Sequence, residues 1–167
     1  MDAKRTIKSL IRLLRSTKVV KANIMLLEPN KRLVGKRIII TGGSRGLGFS
    51  MAQKFVAEGA KVLITGCNEK TLQNAAKEVG CMYICYDVTD FEHMDEFVLR
   101  ADNMLGGVDV LVNNAGISLH EGTIRNVRYE QFDRQIDVNF KGVYFLSQKF
   151  LALYEIEQRK GGSILFL

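Results

Sequence analysis

The chain has 167 residues, enough for one domain with a real core. Its 47% apolar and 25% charged residues exclude general disorder, and one proline among fifteen glycines excludes collagen-like and proline-rich classes. Eleven of the 24 Lys/Arg but only two of the 18 Asp/Glu fall in residues 1–37, so this arm carries +9 and the remainder −3. The net charge of +6 is therefore no mark of nucleic-acid binding by the body, and no nucleic-acid partner is expected.

Taken in chain order, Ile7, Leu10, Ile11 and Leu14 recur at helical spacing between Lys4, Lys8, Arg12 and Arg15. This predicts a short basic amphipathic helix over 4–15, packed on its own domain or on a partner subunit. Weak contact with a membrane surface, or service as an organellar presequence, are the alternative readings. The arm is taken as residues 1–33 and the body as 34–167. Arg37–Thr41 reads as a β-branched strand running into Gly42 and Gly43. Gly46–Glu58 has helical periodicity and stops at Gly59. Lys61–Thr65 reads as a strand, Glu69–Val79 as a helix, Cys81–Tyr86 as a strand, Phe91–Leu105 as a helix and Val108–Val112 as a strand. A long helix is expected over Tyr129–Glu157, with Phe132, Ile136, Val143, Leu146 and Phe150 on one stripe. Ser163–Leu167 reads as a fifth strand. This alternation predicts an α/β fold, a doubly wound parallel sheet covered on both faces.

No aliphatic run is long enough to span a bilayer. Three cysteines at irregular spacing make no disulfide framework, which points to a reducing compartment and a cytoplasmic location. Cys81 and Cys85 are expected in the core. His93 and His120 are isolated, and no metal site is expected.

The chemistry begins at Thr41-Gly42-Gly43-Ser44-Arg45-Gly46-Leu47-Gly48, which leaves the first strand and opens the first helix. Glycines there let backbone approach a pyrophosphate, and the helix N-terminus presents free N–H groups to an anion. No Gly-Lys-Ser/Thr follows, so the turn is not a Walker A loop.

With its Gly-x-x-x-Gly-x-Gly spacing, this segment resembles the short-chain dehydrogenase/reductase family. Further stretches agree in order: Asp87-Val88-Thr89-Asp90, then Gly107 to Gly116 with Asn113-Asn114-Ala115-Gly116, then Asp137-Val138-Asn139 with Gly142, then Gly161-Gly162-Ser163-Ile164. The resemblance covers about residues 34–167 and implies a Rossmann-type sheet truncated after its fifth strand. It implies cofactor contacts at Gly42, Ser44, Arg45, Gly46, Leu47, Gly48, Cys67, Asn68, Asp87, Val88, Asn114, Ala115 and Gly116. Asp87 would meet the adenine ring; capping the following helix is its plainer role. Asn139 takes the family's catalytic asparagine position, which holds a proton-relay water; its plainer role is to bend its helix.

Cofactor choice rests on two places. Thr65-Gly66-Cys67-Asn68 offers no carboxylate to a ribose 2′-OH, and Arg45 matches the family's basic position for a 2′-phosphate. NADP(H) is therefore favoured over NAD(H), although the common second arginine is replaced by Cys67. The resemblance also implies a small-molecule carbonyl or alcohol substrate and a homo-oligomer at full length.

The family's reaction needs a Ser beyond strand five and a Tyr-x-x-x-Lys. None of the five tyrosines has Lys four residues later; Tyr144 is followed there by Gln148 and Tyr154 by Gln158. Ser163 stands at the start of the predicted fifth strand and not beyond it. The expectation is the cofactor-binding half of an NAD(P)-dependent oxidoreductase, inactive by itself. The alternative is a non-catalytic dinucleotide-binding sensor or interaction module.

Overall fold

The computed structural model describes residues 31–119 and 123–167. The expected helix over residues 4–15 and His120 lie outside the described residues. In chain order the elements are β1 (Arg37–Thr41), α1 (Gly46–Ala57), β2 (Lys61–Gly66), α2 (Glu69–Val79), β3 (Met82–Cys85), α3 (Met94–Leu105) and β4 (Val110–Asn113). A 3-10 turn at Ile124–Asn126 precedes α4 (Tyr129–Ile136), a π-helical segment (Asp137–Gly142), α5 (Val143–Ile156) and β5 (Ser163–Phe166).

The five strands pair in parallel in the order β3-β2-β1-β4-β5. From β1 the chain winds outward to β3, then crosses back to β4 and β5. The reversal leaves a crevice between the carboxyl ends of β1 and β4, where open α/β sheets bind ligands.

Alternation along the strands divides the core into two layers. Ile38 and Ile40 point to one face and meet Val62, Ile64, Val112 and, from the helices, Ala52, Leu72 and Ala76. Ile39 points to the other and meets Leu63, Ile84, Leu111, Phe97, Leu105, Leu146 and Phe150. Both faces are covered, so the middle positions of the central strands are apolar on both sides, with polar residues at the strand ends. Leu33 also packs against the first layer, and its N–H donates to the Glu58 carbonyl at 2.9 Å.

The end of the sheet opposite the crevice is closed by ion pairs. The Arg37 backbone N–H, Nε and Nη2 all donate to the Asp109 carboxylate, at 2.9, 2.9 and 2.7 Å. Arg159 grips both oxygens of Asp102, and the Tyr154 hydroxyl donates to the Val108 carbonyl. These bonds fix the C-terminal end of α5 against the α3–β4 connection.

Three expectations need correction. The long helix forms, but its buried stripe is Val138, Gly142, Leu146, Ser147, Phe150 and Leu153, while Phe132 is 55% exposed. The wider winding of Asp137–Gly142 rotates the residues after it relative to those before it, so a single 3.6-residue stripe does not run through. Cys85 is exposed and Cys81 only partly buried, because β3 is an edge strand with one open side. The third helix starts at Met94 rather than Phe91, and Asp87 does not cap it. Its carboxylate instead accepts from Thr89 in the turn after β3, and Asp90 accepts from the His93 N–H at the helix start.

Among the described residues no helix is long and apolar enough to cross a membrane. No group of three His, Cys, Asp or Glu side chains among them is placed to hold a metal ion.

Candidate functional site

The crevice at the strand reversal is built on Thr41, the last residue of β1, which is fully buried. Its hydroxyl donates to the Val112 carbonyl at 3.4 Å and accepts from the N–H groups of Asn114 (3.0 Å) and Ala115 (2.9 Å). One donor and two lone pairs are thereby all used. The Asn114 side-chain amide returns the tie, donating to the carbonyls of Thr41 (2.8 Å) and Gly42 (3.1 Å). The turns after β1 and β4 are thus laced to each other.

This lacing explains the glycines. Gly42 sits at φ +65°, and a Cβ there would lie 3.0 Å from the Ala115 Cα. A Cβ on Gly48 would overlap the Gly42 carbonyl and the Asn114 amide. At Gly46, with φ +57°, a Cβ would instead point into open space. The turn is therefore packed from below and bare above. Arg45 is the N-cap of α1 in extended conformation; no side chain caps the helix and no acid stands in its first turn. Its first N–H groups and the positive end of the helix dipole are left for an anion.

Above this floor lies a groove of about 550 Å³. One end is formed by Gly42, Ser44, Arg45, Gly46, Asn114, Ala115, Gly116 and Ile117, the other by Cys67, Asn68, Thr71, Asp87, Val88 and Arg134. All the cofactor residues expected from the sequence line it except Leu47, which is 61% exposed, and Gly48, which is buried beneath the turn. Sequence reasoning missed Thr41, Thr71, Ile117, Val138 and Arg134. Thr41 had a local signal, a polar residue ending an apolar strand just before the glycine turn. Arg134 had none, since a lone cation on an exposed helix face is ordinary.

At the far end, Asn68 caps α2 by accepting the Thr71 N–H at 3.0 Å. Burial, then the charge of Asp87, raise the Cys67 thiol above its ordinary pKa, so it stays protonated at neutral pH. Asp87 is held below the usual carboxylate range. Burial is the largest influence on it and opposes this, but bonds from Thr89 and Arg134 outweigh it.

Asn139 lies in the π-helical segment beside the groove. Its Oδ1 accepts the Ile117 N–H at 2.9 Å and its Nδ2 donates to the Ile117 carbonyl at 2.8 Å. The amide pins the segment that follows Gly116. Asn113 points the other way; its Nδ2 donates to the Ser147 hydroxyl at 3.0 Å, tying β4 to α5. Ser163 opens β5 opposite Val110, at the end of the sheet away from the groove.

The family model described as short chain dehydrogenase matches residues 36–167. The chain belongs to this short-chain dehydrogenase family. An uncharacterized oxidoreductase of Mycobacterium bovis is 38% identical over 136 residues, covering 79% of this chain and 54% of that protein. Galactitol 2-dehydrogenase of Agrobacterium fabrum is 37% identical over 136 residues, covering 80% of this chain and 52% of its own. The crystal structure of a short chain dehydrogenase from Bacillus anthracis superposes with a TM-score of 0.72 at 28% identity, over 78% of this chain and 56% of that one. The chain thus spans about half the length of the curated relatives it matches. Its five-stranded parallel sheet with helices is the α/β Rossmann-like fold of that short chain dehydrogenase.

Proposed function

We propose that this chain is the dinucleotide-binding portion of an NAD(P)-dependent oxidoreductase that transfers hydride between nicotinamide and a carbonyl or alcohol, with NADP(H) the preferred cofactor. The body is taken as residues 34–167 and carries that site, with residues 1–33 as a separate arm. The observation that carries the reading is the floor of the groove: a turn whose glycines allow backbone contact, at the uncapped start of α1, in the crevice where the sheet order reverses.

The residues present fit such a cofactor, because Gly46 leaves open the space above the turn that a side chain would fill. The turn and the first N–H groups of α1 would hold the pyrophosphate. Cys67, Asn68 and Asp87 would border the adenosine. Asn114, Ala115 and Gly116 would run beside the second ribose, where small residues permit close approach. When bound, the cofactor supplies the hydride chemistry. Asn139 holds the wall at Ile117, and with its amide committed there, any part in holding a relay water falls to its backbone.

The cofactor preference follows from charge. No carboxylate stands at Gly66–Asn68 to repel a 2′-phosphate, and the charge of Asp87 is paired with Arg134. Arg45 lines the groove at the glycine turn and would supply the cation for that phosphate. Calorimetric titration tests this. NADPH is expected to bind about tenfold or more tightly than NADH, a difference near 1.4 kcal/mol, and Arg45→Ala to remove most of it. Tighter NADH binding, or an unchanged preference in Arg45→Ala, would count against the assignment.

A further inference from the structure

The end of the sheet opposite the groove gathers exposed cations where the chain enters the body. Lys31, Arg32 and Lys36 precede β1, Lys54 stands in the last turn of α1, and Lys61 opens β2; all five are exposed. Backbone and side-chain contacts hold them on one corner. The Lys61 N–H donates to the Lys36 carbonyl at 2.8 Å, the Arg32 N–H donates to Glu58 Oε2 at 3.3 Å, and Lys54 Nζ pairs with Glu58 Oε1 at 3.0 Å. The acids that meet this corner are already engaged: Glu58 is buried against Lys54 and Arg32, and Asp109 is gripped by Arg37. Val34 stands among the cations and is 64% exposed.

The segment that leads into this corner carries the same sign of charge. Residues 1–30 hold seven Lys/Arg and two acids, and Ile7, Leu10, Ile11 and Leu14 recur among them at helical spacing. Like charge disfavours packing of that segment back onto the corner. Both are satisfied by one anionic partner. The interleaved aliphatic residues suit a bilayer boundary, where apolar side chains enter the acyl region and basic ones meet the headgroups. A nucleic-acid backbone would engage the cations and leave the aliphatic residues without a role. We propose that this corner and residues 1–30 together form a docking surface for an anionic lipid bilayer. The bilayer then meets the amino ends of β1 and β2, with Val34 at the headgroups, and the groove at the carboxyl ends of the strands faces solution.

The test is flotation of the 167-residue protein with lipid vesicles through a sucrose gradient, in which bound protein rises and self-associated protein sinks. The vesicles are phosphatidylcholine alone, or phosphatidylcholine with about one-third phosphatidylserine. The parent is expected to partition onto the anionic vesicles about tenfold or more over the neutral ones. Most of that preference should vanish at about 1 M salt, where charges are screened within about 3 Å. The double variant Lys36→Glu, Lys61→Glu should cut anionic partitioning about tenfold, and Lys36→Gln, Lys61→Gln by less. Both pairs lie at the far end from the groove, so the melting temperature should not fall. If the glutamate pair does not fold, the glutamine pair carries the same comparison. Leu10→Ser with Ile11→Ser leaves the charge unchanged and should cut partitioning about tenfold through lost apolar burial. Parental flotation by the folded lysine variants overturns the role of the corner, and parental flotation by the serine pair overturns insertion into a bilayer. Flotation that ignores lipid charge, or none at all, overturns the whole proposal. Tighter binding to a DNA duplex than to anionic vesicles at matched charge concentration also overturns it, and marks the partner as nucleic acid.

Discussion

Thr41 is where the two walls of the groove meet, and its loss should be felt in both stability and binding. Replacing it with valine preserves shape but leaves the Asn114 and Ala115 N–H groups without their acceptor. An unsatisfied buried donor costs roughly 1–3 kcal/mol, equivalent to a fall in melting temperature of roughly 2–10 °C at this chain length. Thr41→Val is expected to melt lower by that amount and to bind NADPH more weakly, while Thr41→Ser stays close to the parent. A valine variant that melts and binds like the parent would show that the lacing is incidental. The residues legible in the sequence were those whose chemistry is local. Gly42, Gly46 and Gly48 follow from a turn between a strand and a helix, and Arg45 from its place within that turn. Arg134 was illegible because its partners, Asp87 and Thr89, lie 47 and 45 residues back and meet it only after the sheet forms.

Among the elements, the pair made by Arg37 at the start of β1 and Asp109 just before β4 governs a response to acid. The hydrogen bonds from Arg37 hold the Asp109 carboxyl below the usual carboxylate range, against a smaller opposing effect of burial. A depressed folded-state value means that the stabilisation is fully present above the unfolded carboxylate pKa, near 3.9, and is lost as pH falls through the folded value. The two side chains are 31% and 21% exposed, so solvent screening limits the effect to about 1–2 kcal/mol. Asp109→Asn should therefore melt below the parent at pH 7, and the gap should close as the pH falls well below 4. A gap that is constant or widens in acid would mean that the charge is not what stabilises this corner. Strand and helix order was legible throughout the body, because β-branched runs and helical stripes are short-range patterns. The phase of the long helix was not. The π-helical turn at Asp137–Gly142 has no periodic mark; the expected stripe holds after it at Leu146 and Phe150, but before it Phe132 is exposed and Val138 is buried instead. The exposure of Cys85 was hidden for a related reason, since a strand's place at the sheet edge is set by its pairing and not by its composition.

For the whole molecule, the sheet order places the groove at one end and the ion-paired corner at the other. The groove lies at the carboxyl ends of β1, β2, β3 and β4, while β5 forms an outer edge with Leu165 41%, Phe166 63% and Leu167 68% exposed. An open apolar edge of this kind favours association, and its burial by a further strand is the ordinary remedy. The central claim is that the glycine turn and the Asn-Asn-Ala-Gly turn together receive a dinucleotide. The most direct test follows backbone amide resonances of the 167-residue protein, labelled with nitrogen-15, as NADPH is added. The account predicts saturable shifts at Gly42–Gly48 and Asn114–Gly116, with Ser163–Leu167 unmoved. Saturable binding that leaves the Gly42–Gly48 amides unchanged, or no binding at millimolar NADPH, would contradict it.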